Sequence, residues 1–158
     1  MEKRYVTLET ARVLKDFGFD EWCNHFYGTD IRYHGESLTF DEEHELIDEG
    51  LGDEIERVEG GILINLWSNN SSPSEFAAPE IDDVLYWLRT NYAVFVRPIQ
   101  TRLYECRYEI YYHDGFHSYV CDKVFYTYEE AMEDAIRYAV ENILKKTNKY
   151  KQENEQLH

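Results

Sequence analysis

Hydrophobic and polar positions alternate most regularly in the second half of the chain, where they predict a helix, three strands and a final helix. Pro79 stands where a first helical residue belongs, and apolar residues then recur every three or four positions, as on one face of a helix. This stripe comprises Ile81, Val84, Leu85, Leu88 and, at its margin, Trp87. Residues 93–98 follow as a strand ending at Pro98, which favours a sheet edge or a strand end because proline cannot donate to a ladder.

Residues 103–112 have the period of two that is typical of a half-buried antiparallel strand. One face carries Tyr104, Cys106, Tyr108, Ile110 and Tyr112, and the other carries Glu105, Arg107 and Glu109. Asp114-Gly115 predicts a hairpin turn, because glycine accepts the positive φ that such turns require. Residues 116–126 are then the return strand.

The closing helix begins at Thr127 and Glu130, which have the spacing of a capping box. Its apolar face runs over four turns and comprises Tyr128, Ala131, Met132, Ala135, Ile136, Ala139, Val140, Ile143 and Leu144. Lys145 and Lys146 complement the negative end of the helix dipole. We expect the polar tail, residues 147–158, to be frayed.

The order α-β-β-β-α predicts a two-layer α+β fold. Its antiparallel sheet has both helices packed on one face, so that Tyr108 and Ile110 lie against Leu85 and Ile136. The first half predicts a helix capped by Thr7 and ended by Gly18, an extended segment over 25–33, a helical turn over 41–49, a strand over 62–67 and a loop over 68–78. We expect these elements to join the same core, giving a single domain over residues 1–146.

The net charge of the chain makes some classes of function less favourable. The chain has 32 Asp and Glu against 16 Lys and Arg, a net charge of −16. This balance disfavours direct binding to nucleic acid or anionic lipid. No apolar run approaches the length that spans a bilayer, and the first residues lack a signal-peptide core, so we expect a soluble, cytoplasmic protein.

Residues 36–59 hold eleven acids and one base, Arg57. Three interpretations stay open: a solvated acidic segment, a surface that imitates nucleic acid or docks on a basic partner, and a divalent-cation site. The docking interpretation makes a set of glutamates the candidate interaction residues: Glu42, Glu43, Glu45 and Glu49.

The 14 tyrosines exceed what one small core can hold. Some are expected to pack under the two helices, and others to form a patch for self-association or for a protein partner, because tyrosine joins apolar area to a polar tip. Tyr111 and Tyr126 are the candidates for this patch.

Candidate chemistry is limited to two pairs. Cys23 and His25 lie two residues apart and would share a strand face, as a nucleophilic pair requires. His113 and His117 flank the predicted turn. A two-residue loop places their imidazoles on opposite sides, whereas a three-residue loop pairs them and allows joint metal ligation, aided by Asp114. Three scattered cysteines indicate neither a disulfide framework nor a zinc site, and no cofactor is expected.

Three segments of the sequence are similar to segments of known proteins. They are TLETARVLKDFGF, AAPEIDDVLYWLRTNYAVFVRPI and TYEEAMEDAIRYAVENIL, at about residues 7–19, 78–98 and 125–144. Together they resemble a group of short proteins, without an assigned activity, of gut Bacteroidetes-type bacteria and their phages and mobile elements. The resemblance implies a bacterial or phage accessory protein and supplies no catalytic residue.

The leading hypothesis is therefore a small acidic, non-enzymatic interaction protein that docks on a protein partner or on itself. The first alternative is a nucleic-acid mimic that inhibits a DNA-handling or defence protein. The second is a metal-binding or hydrolytic protein that uses His113 and His117 or Cys23 and His25.

Overall fold

The computed structural model describes residues 4–69, 75–113 and 115–146. Within these residues the chain forms four α-helices and two antiparallel sheets, which confirms the predicted α+β class. The chain divides into two compact units, here called the terminal unit (Met1–Phe19 and Pro79–His158) and the middle unit (Asp20–Ala78). A single domain over 1–146 stays a prediction, and the predicted tail, 147–158, lies outside the described residues.

The helix α1 (Leu8–Phe17) of the terminal unit begins and ends where the sequence predicts. The Thr10 amide donates to Thr7 Oγ1 at 3.4 Å, which satisfies an N–H that has no partner inside the helix. Gly18 follows with a φ of 112° and donates its N–H to the carbonyls of Leu14 and Lys15. Only glycine adopts such a φ at little cost, so this residue ends the helix.

The sheet of the terminal unit is the predicted meander. Its strands, in spatial and chain order, are β5 (Phe95–Arg102), β6 (Glu105–Tyr112) and β7 (His117–Val120). Pro98 lies on an edge strand as expected, but that strand continues past it to Arg102. The return strand is shorter than predicted, because its pairing with β6 stops at Val120 and resumes only as an isolated bridge between Phe125 and Cys106.

Helices α3 (Ile81–Tyr92) and α4 (Tyr128–Tyr138) cover this sheet. Tyr108 and Ile110 of β6 are fully buried, as are Leu88 and Ile136 of the two helices, whereas Leu85 is half-buried. Glu80 is the N-cap of α3, so Pro79 precedes the helix rather than opening it. The apolar stripes read from the sequence therefore supply the core of the terminal unit.

The closing helix changes its winding at Ala139, where α4 continues as a π-helix over Ala139–Leu144. The predicted apolar residues of this segment are still buried. Apolar residues spaced three and four positions apart are compatible with an α-helix and with a π-helix. The sequence pattern therefore did not predict the change of winding.

Of the first-half elements expected to join one core, α1 belongs to the terminal unit. The strands instead form a sheet of their own, separate from the meander, which corrects the expectation for them. Its long central ribbon is β1 (Cys23–Tyr33) paired with β3 (Ile55–Trp67), and two short strands, β2 (Glu36–Ser37) and β4 (Phe76–Ala77), pair with the other side of β1. The pairing of β1 with β3 shifts register between Gly28 and Asp30. The strand predicted over 62–67 begins earlier, and the predicted loop contains β4.

The middle unit also holds helix α2 (Phe40–Asp48) and a 3-10 turn (Gly52–Glu54). Where its side chains are described, the fully buried apolar residues are Ala77 and Ala78. The large apolar residues of β1, and those of β3 up to Ile64, are half-buried or exposed. The two units are thus built differently: the terminal unit encloses a core of large side chains, and the middle unit is a ribbon with partly open faces.

Candidate interaction surface

The middle unit carries most of the charge of the protein. It contains 15 Asp and Glu against two arginines, Arg32 and Arg57, and has no lysine, so its net charge is −13 of the total −16. Its other groups that can carry positive charge are the histidines His25, His34 and His44, and His34 Nε2 lies 3.5 Å from Glu54 Oε2. The lysines and arginines of this unit therefore balance only two of its fifteen carboxylates.

Both arginines bind the two buried carboxylates of the unit. Arg32 Nε donates to Asp30 Oδ2 at 2.5 Å, and Ser37 Oγ donates to the same oxygen at 3.0 Å. The hydrogen bond from Arg32 holds the pKa of Asp30 below its ordinary value, although burial acts in the opposite direction. This contact ties β1 to the short strand β2.

The second pair ties helix α2 to the ribbon. Arg57 Nη2 donates to Glu43 Oε1 at 2.6 Å, and Glu43 is buried. Thr39 caps the helix by accepting the Glu42 amide at 3.3 Å. Glu43 was predicted to be part of the interaction surface, but its carboxylate is directed at Arg57 and holds α2 in place.

The other predicted glutamates, Glu42, Glu45 and Glu49, are exposed on α2 and at its C-terminal end. The crowding of carboxylates in this region acts on Tyr33 at the end of β1. Burial raises the pKa of Tyr33, and a hydrogen bond to Glu54 and the charges of Glu54 and Glu49 raise it further. Glu49 and Glu54 therefore both lie close enough to Tyr33 to act on its hydroxyl.

Strand β3 has a free outer edge over its whole length, because β1 is its only partner among the described strands. The His25 carbonyl accepts the Ala78 amide at 2.9 Å, on the side of β1 away from β3. Since the N–H and C=O of one strand residue point the same way, His25 and Tyr27 both direct these groups away from β3. Their antiparallel partners, Ile64 and Ile62, therefore direct theirs to the open edge.

The same two isoleucines have exposed side chains. Ile64 is 83% exposed and Ile62 is 42% exposed. They lie two residues apart on one strand and so share a face of the ribbon. Sequence reasoning placed residues 62–67 in a strand but did not distinguish an edge from a centre, because an apolar run is compatible with both.

The two predicted tyrosines lie in the terminal unit and in different surroundings. Tyr126 is 73% exposed and lines a groove of about 480 Å³ together with Leu103, Tyr104, Cys106 and Tyr128. Tyr111 lies on β6 between Phe95 and Ser118, is half-buried and is not among the lining residues of that groove. The structure thus does not bring the two into one patch within that groove.

Neither predicted register of the histidine hairpin is found. Tyr112 pairs with His117, so the loop comprises residues 113–116 and His113 belongs to it with a φ of 53°. The two imidazole centroids are 5.4 Å apart and nearly perpendicular. Asp114 lies outside the described residues, and in the part of the chain that is described no three His, Cys, Asp or Glu side chains are grouped as a metal site.

The cysteines are free thiols. Cys23 Sγ is 3.5 Å from the Glu21 carbonyl oxygen. The pairing of β1 with β3 shifts register between Cys23 and His25, with the extra residue on β3. Burial raises the pKa of Cys106, which favours the protonated and unreactive thiol. Cys121 is buried in the terminal unit.

A buried polar cluster, which sequence reasoning missed, fixes α1 to α4. Glu133 Oε1 accepts the Thr7 amide at 2.7 Å, and Glu133 Oε2 accepts the hydroxyls of Thr7, at 3.1 Å, and Thr10. Arg137 Nη1 donates to Thr10 Oγ1 at 2.9 Å and is 3.5 Å from Glu133. Glu133 is not part of the predicted apolar face of this helix, and the capped Thr7-x-x-Thr10 turn offers it three donors.

Comparison with family models, curated proteins and solved structures finds no match to this chain. Among the residues that the structure describes, none of the helices combines the length and the apolar character needed to cross a membrane.

Proposed function

We propose that this protein is a small, acidic, non-enzymatic interaction protein of bacterial or phage origin that acts in the cytoplasm. It docks its middle unit on a positively charged region of a protein partner. The terminal unit serves as the stable scaffold, and the middle unit presents the charge. The phrases shared with bacterial and phage proteins support the proposed origin.

One observation carries this proposal: both arginines of the middle unit bind its two buried acids, Asp30 and Glu43. The unit has no other lysine or arginine to set against its remaining thirteen carboxylates. Charges of one sign on an exposed surface attract a partner of the opposite sign over roughly 8–10 Å at physiological salt. They accelerate encounter and exclude anionic partners such as nucleic acid.

The test compares charge variants of the two units. A triple variant of the middle unit, Glu42→Gln, Glu45→Gln and Glu49→Gln, removes three exposed charges. The matched control removes three exposed charges from the terminal unit: Asp122→Asn, Glu130→Gln and Glu141→Gln. Each tagged variant is incubated with a lysate of the organism that encodes it, and the bound proteins are quantified by mass spectrometry. The binding is done at about 50 and at about 300 mM salt, which give weaker and stronger screening of charges than physiological salt.

We expect a basic protein whose recovery falls at high salt and falls again with the middle-unit variant, but not with the control. Equal recovery by both variants contradicts the proposal, because the charges of the two units would then be equivalent. A nucleic-acid mimic is the narrower alternative. It predicts that the recovered partner binds nucleic acid and that added DNA displaces this protein from it.

A further inference from the structure

We propose that the outer edge of β3 accepts an extended, lysine- or arginine-containing segment of a partner protein, which adds to the middle-unit sheet as a new strand. This inference rests on the proposed function and specifies how the partner is held. An exposed strand edge provides main-chain hydrogen bonds for affinity, and its side chains provide selectivity.

The edge of β3 has a register shift between Val58 and Gly61, and outward-directed groups lie on both sides of it. Ile62 and Ile64 direct their N–H and C=O groups outward, as derived above from the bond between His25 and Ala78. At the other end, the Ile31 carbonyl accepts the Leu38 amide at 2.7 Å on the β2 side, so Arg57, which faces Ile31 across the ladder, also directs its groups outward. Unpaired groups are therefore available at Arg57 before the register shift and at Ile62 and Ile64 after it.

The two ends of this edge differ in chemistry. Glu56 and Glu59 are exposed toward its beginning, next to Glu54 of the 3-10 turn, whereas Ile62 and Ile64 are exposed toward its end. A complementary strand has cationic side chains opposite the first part and β-branched apolar side chains opposite the second. Such a segment places its cationic side chains opposite the glutamates of β3 and its apolar side chains opposite the two isoleucines.

The occupant is a different protein rather than a second copy of this chain. Two middle units would bring together net charges of −13 each, and like charges facing each other across strands are destabilising. Natural edges are commonly protected by lysine, proline or a β-bulge. β3 contains neither lysine nor proline, and its register shift lies between Val58 and Gly61, so Ile62 and Ile64 beyond that shift stay available to a cationic strand.

The first experiment uses synthetic peptides as probes. A fluorescein-labelled ten-residue peptide alternates lysine with threonine and then valine with threonine, and a second peptide has the reversed order, so that parallel and antiparallel pairing are both tested. Control peptides of the same charge are N-methylated at every threonine and valine, which removes backbone donors. We expect at least one unmethylated peptide to bind, by fluorescence anisotropy, at least tenfold more tightly than its methylated control.

The second experiment changes the edge itself. Ile64→Pro removes an outward donor at an exposed position, and proline restricts the preceding residue to the extended region that a strand already uses. The matched variant Ile64→Thr keeps the donor and the β-branched shape. We expect Ile64→Pro to weaken peptide binding at least tenfold and Ile64→Thr to change it less than threefold, with unchanged circular dichroism for both.

Three outcomes overturn the inference. Equal binding of methylated and unmethylated peptides, unaffected by Ile64→Pro, shows docking by charge alone and leaves the proposed function standing. The absence of binding by any of the peptides removes the edge as an acceptor. A dimer of the wild-type protein that dissociates on Ile64→Pro, in sedimentation without peptide, identifies a second copy as the occupant. The proposed function itself fails only in the lysate comparison of charge variants.

Discussion

The carboxylate of Glu133 is the most consequential single group in the terminal unit, and Glu133→Ala is the sharpest test of how that unit is held together. The side chain is 5% exposed. It accepts the Thr7 amide, the Thr7 hydroxyl and the Thr10 hydroxyl. It therefore anchors the first turn of α1 to α4, and its removal leaves three donors facing an apolar side chain.

The expected cost follows from these contacts. Hydrogen bonds to a charged acceptor contribute about 1.5–3 kcal/mol each, and they are not additive when they share one carboxylate. Removing one member of a buried ionic group costs about 3–5 kcal/mol. Arg137 keeps Asp134 and Glu9 within 4 Å, which limits its own loss. We expect Glu133→Ala to lower the free energy of unfolding by about 3–4 kcal/mol, a large part of the roughly 5–15 kcal/mol of a typical domain.

The assay is guanidinium unfolding followed by circular dichroism, with hydrogen exchange of the α1 amides to locate the loss in the terminal unit. Glu133→Gln keeps one acceptor oxygen and should cost about half as much. Glu141→Ala, an exposed acid on the same closing helix, is the control and should change stability by less than about 0.5 kcal/mol. A cost for Glu133→Ala no larger than that of the control would refute this account of α1 and α4.

Three further changes test other contacts. Glu43→Gln should weaken the bond to Arg57 by only about 1 kcal/mol, because the Arg57 guanidinium is 57% exposed and can be hydrated. The expected observation is faster hydrogen exchange of backbone amides that is confined to α2. The hydrogen bond from Arg32 lowers the pKa of Asp30 below 3.8, so this pair stabilises the fold above that pH and its contribution is lost as the pH falls through the lower folded-state pKa. Acid titration of Asp30→Asn should lack that component, and an unchanged profile would contradict it. Gly18→Ala costs about 1–2 kcal/mol because its φ is 112°, and an unshifted denaturation midpoint would show that the strain is relieved elsewhere.

The terminal unit could be predicted from the sequence because each local signal agrees with the tertiary packing. Thr7 and Gly18 delimit α1, and the stripe through Val84 and Leu88 becomes buried against the sheet. Where the capping residues and the apolar periodicity agreed, the observed helices and strands have bounds close to the predicted ones. The exceptions are the change to a π-helix and the early end of β7, both of which depend on packing rather than on periodicity.

The middle unit could not be predicted at the same level, because its pairing partners are distant in sequence and few of its described apolar side chains are fully buried. The sequence showed eleven acids over residues 36–59 but not that Glu43 alone would be buried against Arg57. Nor could periodicity show that the apolar run from Ile62 would lie at a free edge. Edge and centre differ only in whether another strand arrives, and that information is not local.

The separation of charge from core has a physical consequence for how the middle unit folds. Carboxylates of one sign repel one another, and this repulsion opposes a unit that buries no described apolar side chain larger than alanine. The pairs of Asp30 with Arg32 and of Glu43 with Arg57 relieve it only at the two buried positions. A cationic partner would relieve the rest, and anything that binds the folded unit in preference to the unfolded one also stabilises it. If the proposed partner strand binds β3, it should therefore stabilise β1 and β3 against unfolding before it affects the buried core around Tyr108.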